Sequence, residues 1–225
     1  MDMIEGERLM RKSSFLIGCC LILVAGSGFG ATKLSDFKEK ARDEIERTRP
    51  AVESAAFKEV QDSFKERRIA MRFLTDGAYT GKFVNARDKK EYFLTAVPVV
   101  SHFPTAAPPL AVLMMSDGKE VRAGWMQTGQ DRRGRPACSL LTTGGELIAR
   151  ADSIQALKKP PLPVPRGEAA IAIAKNPEED DVILVLVRSP YVAEKEEEME
   201  CTALVFYSGD LGWEKFAGSD KEQGE

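Results

Sequence analysis

A mainly β fold preceded by two helices is what this sequence predicts, and three observations carry the prediction. Residues 33–74 contain no glycine and repeat apolar side chains at helical spacing. From Asp76-Gly77 onward the period shortens to β-type runs separated by turn residues. A proline-rich stretch, residues 157–167, then divides those runs into a longer and a shorter group.

The helical part is broken once, at Pro50. Proline interrupts a helix interior but fits a first turn, so the expectation is one helix over 35–48 and a second over 50–73. In the second, Val52, Ala56, Val60 and Phe64 recur every four residues, with Phe57 and Met71 alongside. That stripe is an amphipathic face suited to packing on the following β region. The basic and acidic side chains between the apolar positions alternate in sign, as on a solvated helix surface.

Nine strands follow: Tyr79–Ala86, Tyr92–Val100, Leu110–Met115, Val121–Gln127, Ala137–Leu141, Glu146–Ala149, Ala169–Ala174, Val182–Val187 and Thr202–Tyr207. Their separators are turn-formers, among them Ser116-Asp117-Gly118-Lys119 and Gly144-Gly145, at hairpin lengths. The pattern describes an all-β barrel or sandwich. It divides the chain into a helical segment (32–75), a first β unit (76–156), a proline-rich linker (157–167) and a partial second β unit (168–225). The Pro-x-x-Pro spacing inside 157–167 also suits an aromatic groove, but a linker is the simpler reading.

Ahead of all this, Phe15 to Ala25 is an uninterrupted small or apolar run, preceded by Arg11-Lys12 and followed by a glycine-rich stretch ending at Ala31. A membrane span needs about 20 apolar residues, so the run is too short to cross and stay. Its layout is that of a secretory signal over residues 1–31, with Met10 a better start than Met1 because it leaves a basic lead. Export to the periplasm or cell envelope follows as the expectation, with membrane contact only in transit. Lipidation at Cys19 is a weaker alternative, because the apolar run continues past it. The mature chain would keep Cys138 and Cys201, which an oxidising compartment could join or the core could bury as thiols.

Composition narrows the chemistry. The 225 residues carry 32 basic and 35 acidic side chains, a net charge of -3, and no long basic run, so no nucleic-acid partner is expected. One histidine, His102, leaves no multi-histidine metal site, and no cofactor or metal is expected. The acidic stretches at 178–181 and 194–200 lack the spaced ligands of a cation loop. Lys158-Lys159 and Arg132-Arg133-Gly134-Arg135 read as basic turns, with contact to an acidic partner as the alternative. Trp125 and Trp213 read as core.

Four local patterns, in order, resemble the trypsin-like serine proteases of the bacterial HtrA type. They are Thr80-Gly81-Lys82-Phe83-Val84 leading to Tyr92-Phe93-Leu94-Thr95-Ala96; Leu113 to Glu120 with Ala123; Gly129-Gln130-Asp131-Arg132-Arg133; and Arg166-Gly167-Glu168 with Ala172-Ile173-Ala174-Lys175-Asn176-Pro177. The resemblance spans about residues 79–190 and implies a trypsin-like first barrel of six strands with a truncated second barrel. It also places the catalytic triad, and there the chain departs from the family. Pro98 stands where the histidine belongs, Arg135 where the aspartate belongs, and Ser208, in Tyr207-Ser208-Gly209-Asp210, lacks the glycine before it. Rebuilding the triad from His102, Asp131 and Ser208 fails on reach, because His102 lies four residues beyond the required position, about 13 Å along an extended chain. The resemblance therefore implies no catalytic residues, and an inactive homologue that binds a peptide or protein. Under it, Pro98, Arg135 and Ser208 converge around one cleft. The alternatives are an active hydrolase whose catalytic residues lie elsewhere in the alignment, and an unrelated β-barrel or β-sandwich adaptor.

Overall fold

The computed structural model describes residues 34–101, 109–176, 180–190 and 201–216, with side chains from Asp43 onward. The expected signal segment and His102 lie outside the described residues. Helix α1 (Leu34–Val52) keeps Pro50 inside its last turn, and the break falls instead at Ser54, the N-cap of α2 (Ala55–Glu66). Ser54 Oγ accepts a hydrogen bond from the Phe57 N–H at 3.1 Å. That cap satisfies an otherwise orphaned donor, which a proline at position 50 could not do, so the chain breaks where the capping serine is. Helix α2 also ends seven residues earlier than 73, because Arg68 takes a left-handed conformation (φ 56°) and Met71–Phe73 pairs as strand β1.

Strands β2 (Tyr79–Val84), β3 (Glu91–Ser101), β4 (Pro109–Ser116), β5 (Val121–Gln130), β6 (Pro136–Thr142) and β7 (Leu147–Arg150) complete a seven-stranded antiparallel sheet in the order β1-β3-β4-β5-β6-β7, with β2 following β1 along the same side of β3. A second antiparallel sheet holds β8 (Ser153–Leu157), β11 (Cys201–Tyr207), β10 (Val182–Arg188) and β9 (Ala169–Ala174), in that order. A mainly β fold with two preceding helices is thus what the chain adopts. No closed barrel is found among the described residues.

The reason is written in β3 and β4. Leu94–Val100 and Ala111–Met115 are buried without interruption, so both faces of these strands are covered. One face carries Leu94, Ala96, Leu113, Met115, Met126 and Leu140 against Ile171, Val185 and Phe206 of the second sheet. The other carries Val97, Val99, Val112, Met114 and Trp125 against Phe57, Val60 and Phe64 of α2. The result is three layers, helix on sheet on sheet, around two apolar cores.

The two sheets are joined on one side by the chain itself, which leaves β7 and enters β8 across Ala151-Asp152, where the Asp152 N–H already donates to Val205 O. The division between sheets therefore comes before the proline-rich stretch. That stretch lies within the second sheet's own connection, since β8 pairs with β11, and it lays Leu162 and Val164 over Leu186, Cys201 and Ala203. On the other side, the turn that leads into β2 meets the segment that leads into β9 at backbone distance. A side chain on Gly77 would strike the Gly167 carbonyl oxygen at 2.2 Å, so glycine is required there.

Cys138 and Cys201 are free thiols. They belong to different clusters, Cys138 to the core between the sheets and Cys201 to the outer face of the second sheet. Burial pushes the Cys138 thiol up to about 12 and raises that of Cys201, so neither supplies thiolate at neutral pH. Neither is expected to react with a water-soluble disulfide reagent in the native protein, and both should titrate at once in denaturant; fast native labelling at either would contradict this packing.

Candidate functional site

Pro98 is a buried residue of β3, in register with Ala111 on β4. Its carbonyl accepts from the Leu74 N–H at 2.9 Å, so its missing N–H faces the same side. There the chain between β1 and β2 leaves the ladder in a 3-10 turn, Thr75–Gly77. Proline occupies the one stretch of β3 where no partner waits for an amide hydrogen.

Arg135 closes the β5–β6 hairpin. Its guanidinium holds Asp131 Oδ2 at 2.7 and 2.8 Å, while Asp131 Oδ1 accepts from the Arg133 and Arg135 N–H groups at 2.8 and 2.9 Å. Those backbone and guanidinium donors hold the Asp131 carboxyl below its usual range. The pair faces solvent and serves the turn, with Gly134 (φ +74°) making the tight bend.

Ser208 opens a 3-10 turn, Ser208–Asp210, at the end of β11 and is fully buried. Its N–H donates to Asp181 O at 2.9 Å, its carbonyl accepts from Asn85 Nδ2 at 2.8 Å, and its hydroxyl has no hydrogen-bond partner among the described residues. A serine with no base on its hydroxyl is not activated.

These three positions do not come together. Asn85, and with it Ser208, sits at the β2–β3 hairpin beyond the Val84–Glu91 pair. Pro98 lies seven residues farther along β3, roughly 20 Å or more at strand rise. Arg135 projects past the same end of the sheet as Pro98, at the tip of a hairpin whose last pair is Gln130–Pro136, so it is farther still from Ser208. Of the triad that might be rebuilt, Asp131 is held by its own turn, Ser208 is at the other end, and His102 is outside the described residues.

The residues that do converge are ones the triad pattern passes over. Asn85 is fully buried and joins two chain segments: Nδ2 donates to Ser208 O and to Leu211 O at 2.8 and 3.0 Å, and Oδ1 accepts from the Arg87 and Asp88 N–H groups. Beside it, Trp213 of the short helix α3 (Trp213–Phe216) stacks on Tyr92 at 5.5 Å and 20°. The Arg122 guanidinium lies over the Trp213 ring at 4.3 Å and donates to the Trp213 carbonyl at 3.0 Å. Tyr92 is buried and donates to Asp88 at 2.6 Å, and burial together with that carboxylate raises its phenol well above the ordinary value. This clip seats Leu211 and Phe216 under the inter-sheet core. Its sequence signal was local, an asparagine opening the Asn85-Ala86-Arg87-Asp88 turn.

Trp125 is core, as expected, donating Nε1–H to Thr142 O at 3.1 Å. Asp181 accepts from Lys175 and the Asn176 N–H, and of the acidic stretches only Asp180 and Asp181 are described. Among the described residues no three His, Cys, Asp or Glu side chains group as metal ligands. An open groove lies between α2 and the β6–β7 turn, crossed by the Thr143–Glu59 hydrogen bond at 2.7 Å. No helix among the described residues is long and apolar enough to cross a membrane. No family model matches the chain, and no curated protein or solved structure is significantly similar to it.

Proposed function

We propose that this chain is an exported, non-catalytic β protein with a binding or scaffolding role in the cell envelope. The observation that carries the reading is the separation of Pro98, Arg135 and Ser208, each committed to a structural task of its own. The apolar run after Arg11-Lys12 supports export. Two ancestries fit a non-catalytic role. A degenerate trypsin-like domain with a truncated second barrel accounts for the ordered local patterns. An unrelated layered β adaptor accounts for the helix-covered sheet and for triad positions at opposite ends, and it is the reading the geometry favours. An active envelope hydrolase would need a nucleophile other than the buried Ser208 hydroxyl.

A fluorophosphonate probe tests the non-catalytic reading. The expected result is no labelling of the folded protein. Labelling of Ser208 that disappears in Ser208→Ala would overturn it.

A further inference from the structure

The β5–β6 hairpin carries charge in a way the rest of the fold does not use. The last pair of this hairpin arm is Gln130–Pro136, and the turn beyond it carries the tip. Residues Arg132–Pro136 at its tip are exposed. Three of those five residues are arginines, on a chain whose net charge is -3.

The tip is also stiff. Asp131 ties its two sides together through its own N–H to Arg135 O at 2.8 Å, and through four donors on its carboxylate. Gly134 N–H closes back on Asp131 O at 2.9 Å. Arg135 is consumed by this turn. Arg132 and Arg133 have no ion-pair partner among the described residues, and both are exposed on this rigid turn.

We infer that this arm docks on a carboxylate-rich segment of a partner protein, with Arg132 and Arg133 as the recognising residues. The inference rests on the binding role proposed above and supplies its surface and partner chemistry. Arginine forks match carboxylates two bonds at a time, and a preset loop loses little freedom on binding. A lipid surface is the poorer fit: each basic residue adds only about 1 kcal/mol at an anionic membrane, and the tip has no aromatic or long apolar side chain to insert.

The test is fluorescence anisotropy of a labelled hexaglutamate peptide with the full chain, at low and at physiological salt. Wild-type protein should bind, more weakly as salt screens the pairs over a Debye length of about 8 Å. R132E/R133E should lose about tenfold or more in affinity, and R132Q/R133Q should lose affinity in the same direction, with thermal melts unchanged because neither arginine side chain makes a described contact and the Arg133 N–H bond to Asp131 is kept. K158E/K159E, an equal charge change on another exposed pair, should shift affinity by less than about twofold. No wild-type binding, equal losses in the two charge-reversed variants, or preference for phosphatidylglycerol vesicles over the peptide would each overturn the inference. Mass spectrometry of the recovered peptide separates this from the reading beneath it, since cleavage would overturn the non-catalytic role, whereas intact unbound peptide overturns only the docking arm.

Discussion

Asn85→Ala is expected to lower folding stability by about 3–5 kcal/mol, the largest effect of any single polar substitution in the described fold. The side chain is fully buried and makes four hydrogen bonds, two from Nδ2 to the Ser208 and Leu211 carbonyls and two to Oδ1 from the Arg87 and Asp88 N–H groups. Alanine leaves those groups unpaired in a closed space, at about 1–3 kcal/mol for each that water cannot reach. Urea unfolding followed by circular dichroism measures the loss. Asn85→Asp refines it. Its shape is conserved, but a carboxylate would face two carbonyl oxygens, so the folded state favours the protonated acid and its pKa is raised above the unfolded value. The variant should be closest to wild type at low pH and lose stability as pH rises through the carboxylate range. A variant as stable as wild type at neutral pH would contradict the clip.

The second large effect is expected from Phe64→Ala, at about 3–5 kcal/mol. Phe64 is buried between layers, 5.2 Å from the Trp125 ring and 6.0 Å from the Phe73 ring. Truncation opens a cavity at the seam between α2 and the seven-stranded sheet, where the sheet cannot collapse because its other face is already packed. Trp125 reports the change directly, and its emission should shift to the red as water enters. A melt and spectrum like wild type would mean that the helices are an appendage of the β region rather than its third layer.

Much of the fold was legible because each signal was local. All nine expected strands are present, and the apolar stripe of Val60, Phe64 and Phe57 is the face that α2 buries. Strand β8 was missed because Ser153-Ile154-Gln155-Ala156-Leu157 is short and mixed, and only its pairing with β11, more than 40 positions on, makes it a strand. Strand β1 was missed because Met71-Arg72-Phe73 continues the helical composition, and the left-handed Arg68 that ends the helix side of the chain carries no strong sequence mark. The layered architecture was present in the long, nearly all-apolar runs of β3 and β4, broken only by Thr95, which fit strands covered on both faces better than barrel strands with one face in solvent.

The site was less legible, and for a physical reason. Pro98, Arg135 and Ser208 were singled out by their place in an ordered series of short patterns, whereas convergence depends on long-range register. Each turned out to answer a neighbour: Pro98 the turn at Thr75–Gly77, Arg135 the carboxylate of Asp131, Ser208 the amide of Asn85. The Asn85–Trp213 clip joins residues more than 120 positions apart, and no spacing rule reaches that far.

The distance between the β5–β6 hairpin tip and the turn at Ser208 tests this account most directly. Nitroxide labels at Arg135→Cys and Asp210→Cys, with Cys19 and Cys20 replaced by serine, would leave only the buried Cys138 and Cys201 as background thiols. Counting strand rise from the Asn85 hairpin to the arm, a double electron–electron resonance distance beyond about 25 Å is expected. A distance below about 15 Å, the scale of two sides of one cleft, would contradict it and restore a shared site.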